Sequence, residues 1–485
     1  MNAPIRKLGL LIAVLFTTLL VSTTIIQAFQ APSINARPDN RRTLLSTYSA
    51  DRGEILVAST PIAQSEATKN QYQRIRKYPQ GPLYAQVTGY FSFLYGAGGG
   101  IERSENALLN GSSDRLFYRR ISDVIAGQRP GGVNVELTIN PAAQKAAAEA
   151  LGDRRGAVVA INPKTGAILA MVSRPTYDPN VLAGHDMKAV ETAWQELQGA
   201  ESKPMLNRAL AETYPPGSTF KLVTAAAALS TGRYTMESEL DAPRVLDLPN
   251  TSADLPNYGG AACDPSGVQK MIDAMRISCN TAFGSLGMEL GDEVLREQAA
   301  RFGIGDALRV PMTVARSSFP SEDLSLDVVA QSAIGQRDVR MTPLQVAMMS
   351  AAIANRGIVM QPYLVQSVFG NDLSVLEQTK PQQLAEAVSP DVANQLSLMM
   401  QAVVADGTGR AAAISGVTVA GKTGTAEVGG GKRAHAWFTS FAPADDPEVA
   451  VAVVIENGGD TSSAVSGGRV AGPVAKAVME AVLNQ

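Results

Sequence analysis

Residues 215–229 read Pro-Pro-Gly-Ser-Thr-Phe-Lys-Leu-Val-Thr-Ala-Ala-Ala-Ala-Leu. Two prolines and a glycine precede an apolar run, so Ser218 should open a buried helix. Lys221 follows three residues on, one turn up the same face. Burial disfavours a charged ammonium and pushes a lysine toward its neutral amine. A neutral amine can take a serine proton, which activates a nucleophile without histidine. The helix N-terminus favours the negative charge that then develops. The pattern alone is weak, because average composition gives about one Ser-x-x-Lys by chance in a chain of this length. Ser218/Lys221 is the sole instance here.

Two further motifs lie downstream. In Ser278-Cys279-Asn280 a hydroxyl can relay a proton and an amide can hold a substrate backbone. Ser33-Ile34-Asn35 and Ser104-Glu105-Asn106 match equally well, and one such match ordinarily marks a turn or helix cap. In Gly421-Lys422-Thr423-Gly424-Thr425-Ala426 a cationic lysine flanked by hydroxyls suits a carboxylate ligand. Its small residues let a substrate backbone lie along a strand edge. Lys164-Thr165-Gly166 repeats the tripeptide inside a predicted hairpin turn and reads as a loop. Order raises the specificity. The three motifs follow one another at spacings of 60 and 144 residues, the signature of penicillin-binding proteins and serine β-lactamases.

Composition excludes several other classes. The 485 residues are 45% hydrophobic with net charge −3, so no basic excess exists to neutralise phosphates. With only His185, His435, Cys263 and Cys279 available, a zinc site is disfavoured. A Ser-His-Asp triad would have to use one of those two histidines. The length suits two or three domains.

Residues 8–36 carry no charge, and Leu8 to Phe29 is long and apolar enough to span a bilayer as a helix. Bulky Phe29 and Gln30 stand where a cleavage site wants small residues, so an uncleaved anchor is favoured over a cleaved signal. Arg6 and Lys7 precede the span, while Arg37, Arg41 and Arg42 follow it, so the flanking charges alone do not fix orientation. The bulk of the chain is expected outside the cytoplasm. There a Cys263–Cys279 disulfide could persist; two buried free thiols are the alternative.

Composition shifts near residue 152. Before it, polar loops, the Gly96–Gly100 run and the alternating Val133–Ile139 stretch lead to an alanine-rich helix at Ala142–Leu151. After it, Gly156–Met171 reads as two apolar strands around a turn. Leu222–Leu229, Met348–Ala354 and Val470–Leu483 read as helices, and Val449–Ile455 as a buried strand.

The chain resembles the class B penicillin-binding proteins, most closely the actinobacterial branch called penicillin-binding protein A. The resemblance runs through Arg52-Gly53-Glu54-Ile55, Gly100-Ile101-Glu102, Leu109-Asn110-Gly111 and Leu137-Thr138-Ile139-Asn140. It continues through Thr165–Met171, Tyr177-Asp178-Pro179-Asn180, Asn207-Arg208-Ala209, Thr342-Pro343-Leu344-Gln345 and Ala436-Trp437-Phe438. Asn140 stands where an acid is usual, and Arg337 where a glycine is common.

The resemblance implies an α/β (α+β) architecture. A cytoplasmic tail and transmembrane anchor would occupy residues 1–30. A small mixed pedestal or dimerisation-like domain would occupy 31–151. A serine transpeptidase domain, with an antiparallel sheet flanked by helices as in β-lactamases, would occupy 152–485. It implies a peptidoglycan D,D-transpeptidase that cross-links stem peptides through an acyl-serine and releases D-alanine. Ser218 would be the nucleophile, Lys221 the base and Ser278 the proton relay. Asn280 would bind the substrate amide, and Lys422, Thr423, Gly424 and Thr425 would hold the substrate along the strand. Backbone N–H groups of Ser218 and Thr425 would form the oxyanion hole. β-Lactam antibiotics would acylate Ser218. No metal or cofactor is implied. The implied partners are D-Ala-D-Ala stem peptides, the membrane through the N-terminal helix, and a membrane glycosyltransferase of the cell-wall machinery.

Other readings share parts of this pattern. A D,D-carboxypeptidase would use water as acceptor with the same motifs. A membrane-tethered β-lactam sensor or scaffold would bind without turnover, and a β-lactamase would need a deacylating base that the sequence does not place. A bifunctional enzyme with a glycosyltransferase domain would need more chain before Ser218. His435 reads as strand packing or substrate lining, and Trp437 as cleft lining or core.

Overall fold

The computed structural model describes residues 2–30, 33–34, 48, 51–117, 131–429, 433–460 and 466–484. It groups the chain into two compact units, Met1–Asp51 with Ser65–Ile75, and Arg52–Gln64 with Arg76–Gln485.

The first unit holds helix α1, Asn2–Thr24, continued by a π-helical turn to Gln30. Among the described residues, Pro4–Gln30 is the one helical stretch long and apolar enough to cross a membrane. Its threonines do not break it. Thr17, Thr18 and Thr24 donate their hydroxyls to the carbonyls of Ala13, Val14 and Leu20 at 2.8–2.9 Å. Such back-bonding satisfies a hydroxyl where water is scarce. Arg37, Arg41 and Arg42 lie outside the described residues.

The second unit contains two main sheets. In one, β1 (Ile55–Val57) pairs antiparallel with β2 (Thr60–Ala67) and parallel with β3 (Asn134–Leu137). Strand β3 also pairs with β6 (Val365–Phe369), and β6 with β7 (Val375–Gln378). Chain from far downstream thus completes a sheet begun near residue 55, a long-range pairing that local periodicity does not reveal. Beside this sheet Glu102 is fully buried. It meets Arg52 and Arg76 at 2.7 Å and the Tyr78 hydroxyl at 3.1 Å.

After helix α2 (Pro141–Leu151), β4 (Gly156–Ile161) and β5 (Ile168–Arg174) enter the second sheet. Asn140 caps α2, its side chain accepting from Ala143 N–H at 2.9 Å, a task asparagine performs as well as aspartate. The expected hairpin turn is present. Asn162 Oδ1 accepts from the N–H groups of Lys164 and Thr165, and Lys164 points out to Asp446. The sheet runs β8 (Ala420–Ala426), β9 (His435–Ala442), β10 (Val449–Ile455), β4, β5, all antiparallel, with β8 at its edge.

Both faces are covered, so the strands read as nearly continuous apolar runs. Val158, Ala160, Val451 and Val453 pack with Ala147, Leu151, Val474 and Val478 of α2 and α8 (Gly472–Leu483). Val159, Ile161, Ala452 and Val454 pack toward α6 (Pro343–Ala354), which Thr342 caps. Four more helices shape the cleft: α3 (Lys221–Ser230), α4 (Met271–Ile277), α5 (Asn280–Leu290) and α7 (Pro390–Asp406).

Candidate active site

Ser218 sits in a 3₁₀ turn, Gly217–Phe220, that feeds directly into α3. At three residues per turn, i and i+3 eclipse, so Ser218 and Lys221 begin on one side. The turn lies hard against edge strand β8. A Cβ on Gly217, whose φ is +54°, would come 2.6 Å from the Thr425 carbonyl oxygen. One on Gly424 would strike Trp437 and Thr219 at 2.8–2.9 Å. These two glycines allow the approach that sets Ser218 beside Thr425. Trp437, fully buried, fastens the turn by donating its indole N–H to the Pro215 carbonyl at 3.0 Å. It is a core residue with a positioning bond.

Lys221 is fully buried. Its ammonium nitrogen donates to the Ser278 carbonyl at 2.8 Å and to Asn280 Oδ1 at 2.7 Å, with Ser278 Oγ at 3.4 Å. Burial, and then the charge of Lys422, hold its pKa well below the usual lysine range. A neutral amine has two N–H donors and one lone pair. Two close acceptors use both donors and leave the lone pair for a hydroxyl proton. Among the described residues the Ser218 side chain makes no hydrogen bond, so its hydroxyl is free to turn toward that lone pair.

Ser278 ends α4 in the left-handed region at φ +63°, ψ +43°. Its N–H bonds Met275 O, and Cys279 N–H bonds Ala274 O, which closes the helix in the usual left-handed manner. The turn swings the Ser278 hydroxyl between two lysines. Lys422 Nζ lies 2.8 Å from it and 3.0 Å from Thr423 O. Lys422 is also fully buried, and burial pushes its pKa down to about 7. Thr423 Oγ1 pairs with Thr408 Oγ1 at 2.7 Å.

The three motifs therefore line one groove. A cavity of about 470 Å³ takes in Ser218, Ser278, Asn280, Thr423, Thr425 and Glu427. Asn257, Thr408 and Gln336 also line it, and sequence reading did not single them out. Asn257 is nearly buried and organises the start of α5. Its Oδ1 accepts from Asn280 N–H at 2.9 Å and Thr281 N–H at 3.1 Å, and its Nδ2 reaches Thr281 Oγ1 at 3.2 Å. A lone asparagine in a loop carries no local signal of that duty. Cys279, inside the second motif, is joined to Cys263 by a disulfide. Two of the matching tripeptides behave differently from the motifs they mimic; Asn35 of the third lies outside the described residues. Asn106 accepts from Arg52 in the other sheet's surroundings, and Lys164 is half-exposed in a turn. His435 stands off the reacting atoms. Its Nδ1 accepts from Asn457 N–H at 3.1 Å, and its ring meets Tyr214 edge-on.

A serine on a helix-opening turn, a buried lysine pair around a second serine, and a free sheet edge define a class of acyl-serine enzymes. Residues 156–480 match the penicillin-binding protein transpeptidase domain, and residues 52–135 match the penicillin-binding protein A dimerisation domain. The chain belongs to the penicillin-binding protein transpeptidase family. It is 46% identical to the peptidoglycan D,D-transpeptidase PbpA of Mycolicibacterium smegmatis, over all of both chains. The PbpA of Mycobacterium tuberculosis is 44% identical over all of this chain and 99% of its own. The solved ceftriaxone acyl-enzyme of penicillin-binding protein A from M. tuberculosis superposes with TM-score 0.86, covering 90% of this chain and 100% of that one at 44% identity. Its penicillin G acyl-enzyme gives 0.84 over the same shares.

Proposed function

We propose that the chain is a peptidoglycan D,D-transpeptidase acylated by β-lactams, with Ser218 as nucleophile. The observation that carries this reading is the burial of Lys221 and Lys422 on either side of Ser278 Oγ, with Ser278 and Ser218 lining one groove. Lys221, neutral, takes the Ser218 proton as Ser218 Oγ attacks the carbonyl of the penultimate D-alanine. The oxyanion is held by the N–H groups of Ser218 and Thr425, a type of contact worth roughly 10²–10³ in rate per donor. The proton passes through Ser278 to the leaving D-alanine nitrogen as the C–N bond breaks. An amine from a second stem then attacks the acyl-serine, gives up a proton by the same route, and restores the Ser218 hydroxyl. Asn280 binds the substrate amide. Lys422, with Thr423, Gly424 and Thr425, holds the terminal carboxylate and backbone. Among the described residues β8 is the outermost strand of its sheet, and such an edge suits an extended peptide added as a further strand.

The domain limits belong to the same reading: an anchor at 1–30, a pedestal at 31–151 and the transpeptidase domain at 152–485. They are supported by the change of composition near 152 and by family matches that end at 135 and resume at 156. Helix α1 serves as a single-pass anchor in the cytoplasmic membrane, with the bulk of the chain outside. A membrane glycosyltransferase is the proposed partner of the pedestal and anchor; the resemblance supports it.

Fluorescent penicillin tests the proposal. Cells making the full chain are expected to carry a stable label in the membrane fraction, lost in Ser218→Ala and moved to the soluble fraction when residues 1–30 are removed. No label on folded wild-type protein would overturn the mechanism at its first step. Turnover of the label within minutes would point to a β-lactamase instead.

A further inference from the structure

Thr408 lies two residues beyond the end of α7, on the wall of the catalytic groove. None of the three motifs contains it, and no step of the mechanism uses it. Thr408 is exposed along the groove, whereas Thr423 beside it is nearly buried. Their hydroxyl oxygens are 2.7 Å apart, and among the described residues neither hydroxyl has another partner.

Two helix ends hold Thr408 in place. Its N–H donates to the Arg276 carbonyl at 3.2 Å, and the N–H of Gly409 donates to the Val403 carbonyl at 2.9 Å. The Arg276 guanidinium returns to the same corner and donates to the Asp406 carbonyl at 3.3 Å. Arg276 stands in the last turn of α4, two residues before Ser278. The helix that delivers Ser278 therefore also fixes the residue that meets Thr423. Through Thr408 the second motif is tied to the third.

Counting protons gives the hydroxyl pair a direction. A hydroxyl carries one proton and two lone pairs, and an ionised carboxylate carries acceptors only. If Thr423 donates to Thr408, its proton is spent and it presents lone pairs to a carboxylate. If Thr408 donates to Thr423, the Thr423 proton is free for the carboxylate. Only the second order gives both protons an acceptor and leaves no two acceptors facing each other. In a chain of this kind each bond polarises the next, and a bond that ends on a charged acceptor is the stronger for it.

We propose that Thr408 is a positioning residue for the terminal carboxylate of the donor stem: it donates to Thr423 and so commits the Thr423 hydroxyl to that carboxylate. The proposal rests on the reading in which Lys422 and Thr423 hold the carboxylate, and it adds what orients Thr423.

Two synthetic peptides test it on the full chain in detergent. Both end in D-Ala-D-Ala, one with a free carboxylate and one with a terminal carboxamide. A carboxamide has both N–H groups and a carbonyl, so it pairs with Thr423 in either order. The readout is the ratio of kcat/KM between the two peptides. Thr408→Val puts a methyl group in place of the hydroxyl. It is expected to lower the ratio by roughly tenfold, the scale of one hydrogen bond to a charged group, with the carboxamide peptide far less affected. Thr408→Ser keeps the donor and is expected to keep the ratio. Thr408→Ala leaves room for a water to donate instead and is expected to fall between them. Thermal melting shows which variants are folded, and the comparison of alanine with serine stands if the valine variant does not fold. A ratio unmoved in folded Thr408→Val, or equal in Thr408→Ala and Thr408→Ser where valine fails to fold, would overturn the proposal. So would a ratio lost in Thr408→Ser, or a loss shared equally by both peptides, which a merely structural role would give. Penicillin labelling of the wild type separates this proposal from the reading beneath it. A labelled enzyme whose ratio ignores Thr408 rejects the positioning role alone. A folded but unlabelled one rejects the acyl-serine reading. A labelled wild type that takes both peptides equally rejects the carboxylate role of Lys422 and Thr423, and the role of Thr408 with it.

Discussion

Two lysines without a carboxylate between them share one hydroxyl at Ser278. Both are buried, so both resist protonation, and the charge of Lys422 lowers Lys221 further. The role of base proposed for Lys221 fits its two donors being already spent on Ser278 O and Asn280 Oδ1. The role proposed for Lys422 is the opposite, since only its cation can hold a carboxylate. With its pKa pushed down to about 7 by burial, that cation is lost as pH rises through neutrality. The sign follows directly. The kcat/KM for a peptide with a free terminal carboxylate should fall above about pH 7, by roughly tenfold per unit, since this parameter reports ionisations of the free enzyme. A peptide with a terminal carboxamide should be slower and should lack that alkaline limb. An identical limb for both peptides would show that Lys422 does not titrate against the carboxylate. The Lys164 copy of the tripeptide shows why the residue type alone decides nothing. In a solvated turn a lysine keeps water and pairs with Asp446, whereas on an edge strand against the 3₁₀ turn and α7 it is stripped of both.

Elements place these residues, and here the limits of sequence reading become physical. The helical start at Ser218, the strand edge and the helices α3, α6 and α8 follow from local pattern, because proline, glycine and apolar periodicity act within a few residues; the opening turn being 3₁₀ does not. Asn257 acts at a distance of 23 residues, through bonds to Asn280 N–H and Thr281 N–H that exist only once the chain has closed. Side-chain capping from outside a helix leaves no periodicity to read. The same holds for Thr408 against Thr423 and for the indole of Trp437 against Pro215. Asn257→Ala leaves two N–H groups at the start of α5 without their acceptor, at a cost of about 1–3 kcal/mol. It also releases Asn280, so acylation by penicillin should slow by roughly ten- to a hundredfold, the scale of a small misplacement in an active site. Asn257→Asp retains the acceptor oxygen and should recover most of the rate. Equal losses in both variants would mean that Asn257 supports the fold without setting the motif. Stopped-flow acylation together with thermal melting makes the distinction.

At the scale of the whole molecule, the sheet around β1 and β3 is assembled from three distant stretches, residues 55–64, 134–137 and 365–378. The sequence shows Arg52-Gly53 and Gly100-Ile101-Glu102 as separate boxes; only the folded chain shows that they face each other. Glu102 is the joint. Burial alone would raise its pKa, but Arg52 and Arg76 outweigh burial and hold it below the ordinary glutamate value. A carboxylate lowered in the folded state contributes stability above its unfolded pKa, near 4.3, and that contribution fades as pH falls through the folded value. Glu102→Gln keeps the shape and removes the charge, leaving Arg52 and Arg76 buried without their counter-ion. Breaking a buried pair from one side costs about 3–5 kcal/mol. Urea unfolding at pH 7 should show that loss. The gap between wild type and variant should narrow as pH falls below the unfolded value near 4.3, where the unfolded wild-type chain takes up a proton that folded Glu102 resists. A gap unchanged across that range would mean that packing, and not the charge, accounts for the loss. Glu102 lies outside the groove that holds Ser218, so the folded variant should still take up penicillin at close to the wild-type rate. A large drop in that rate at a urea concentration where the variant remains folded would show that the sheet around β1 and β3 controls the geometry of the acylation site.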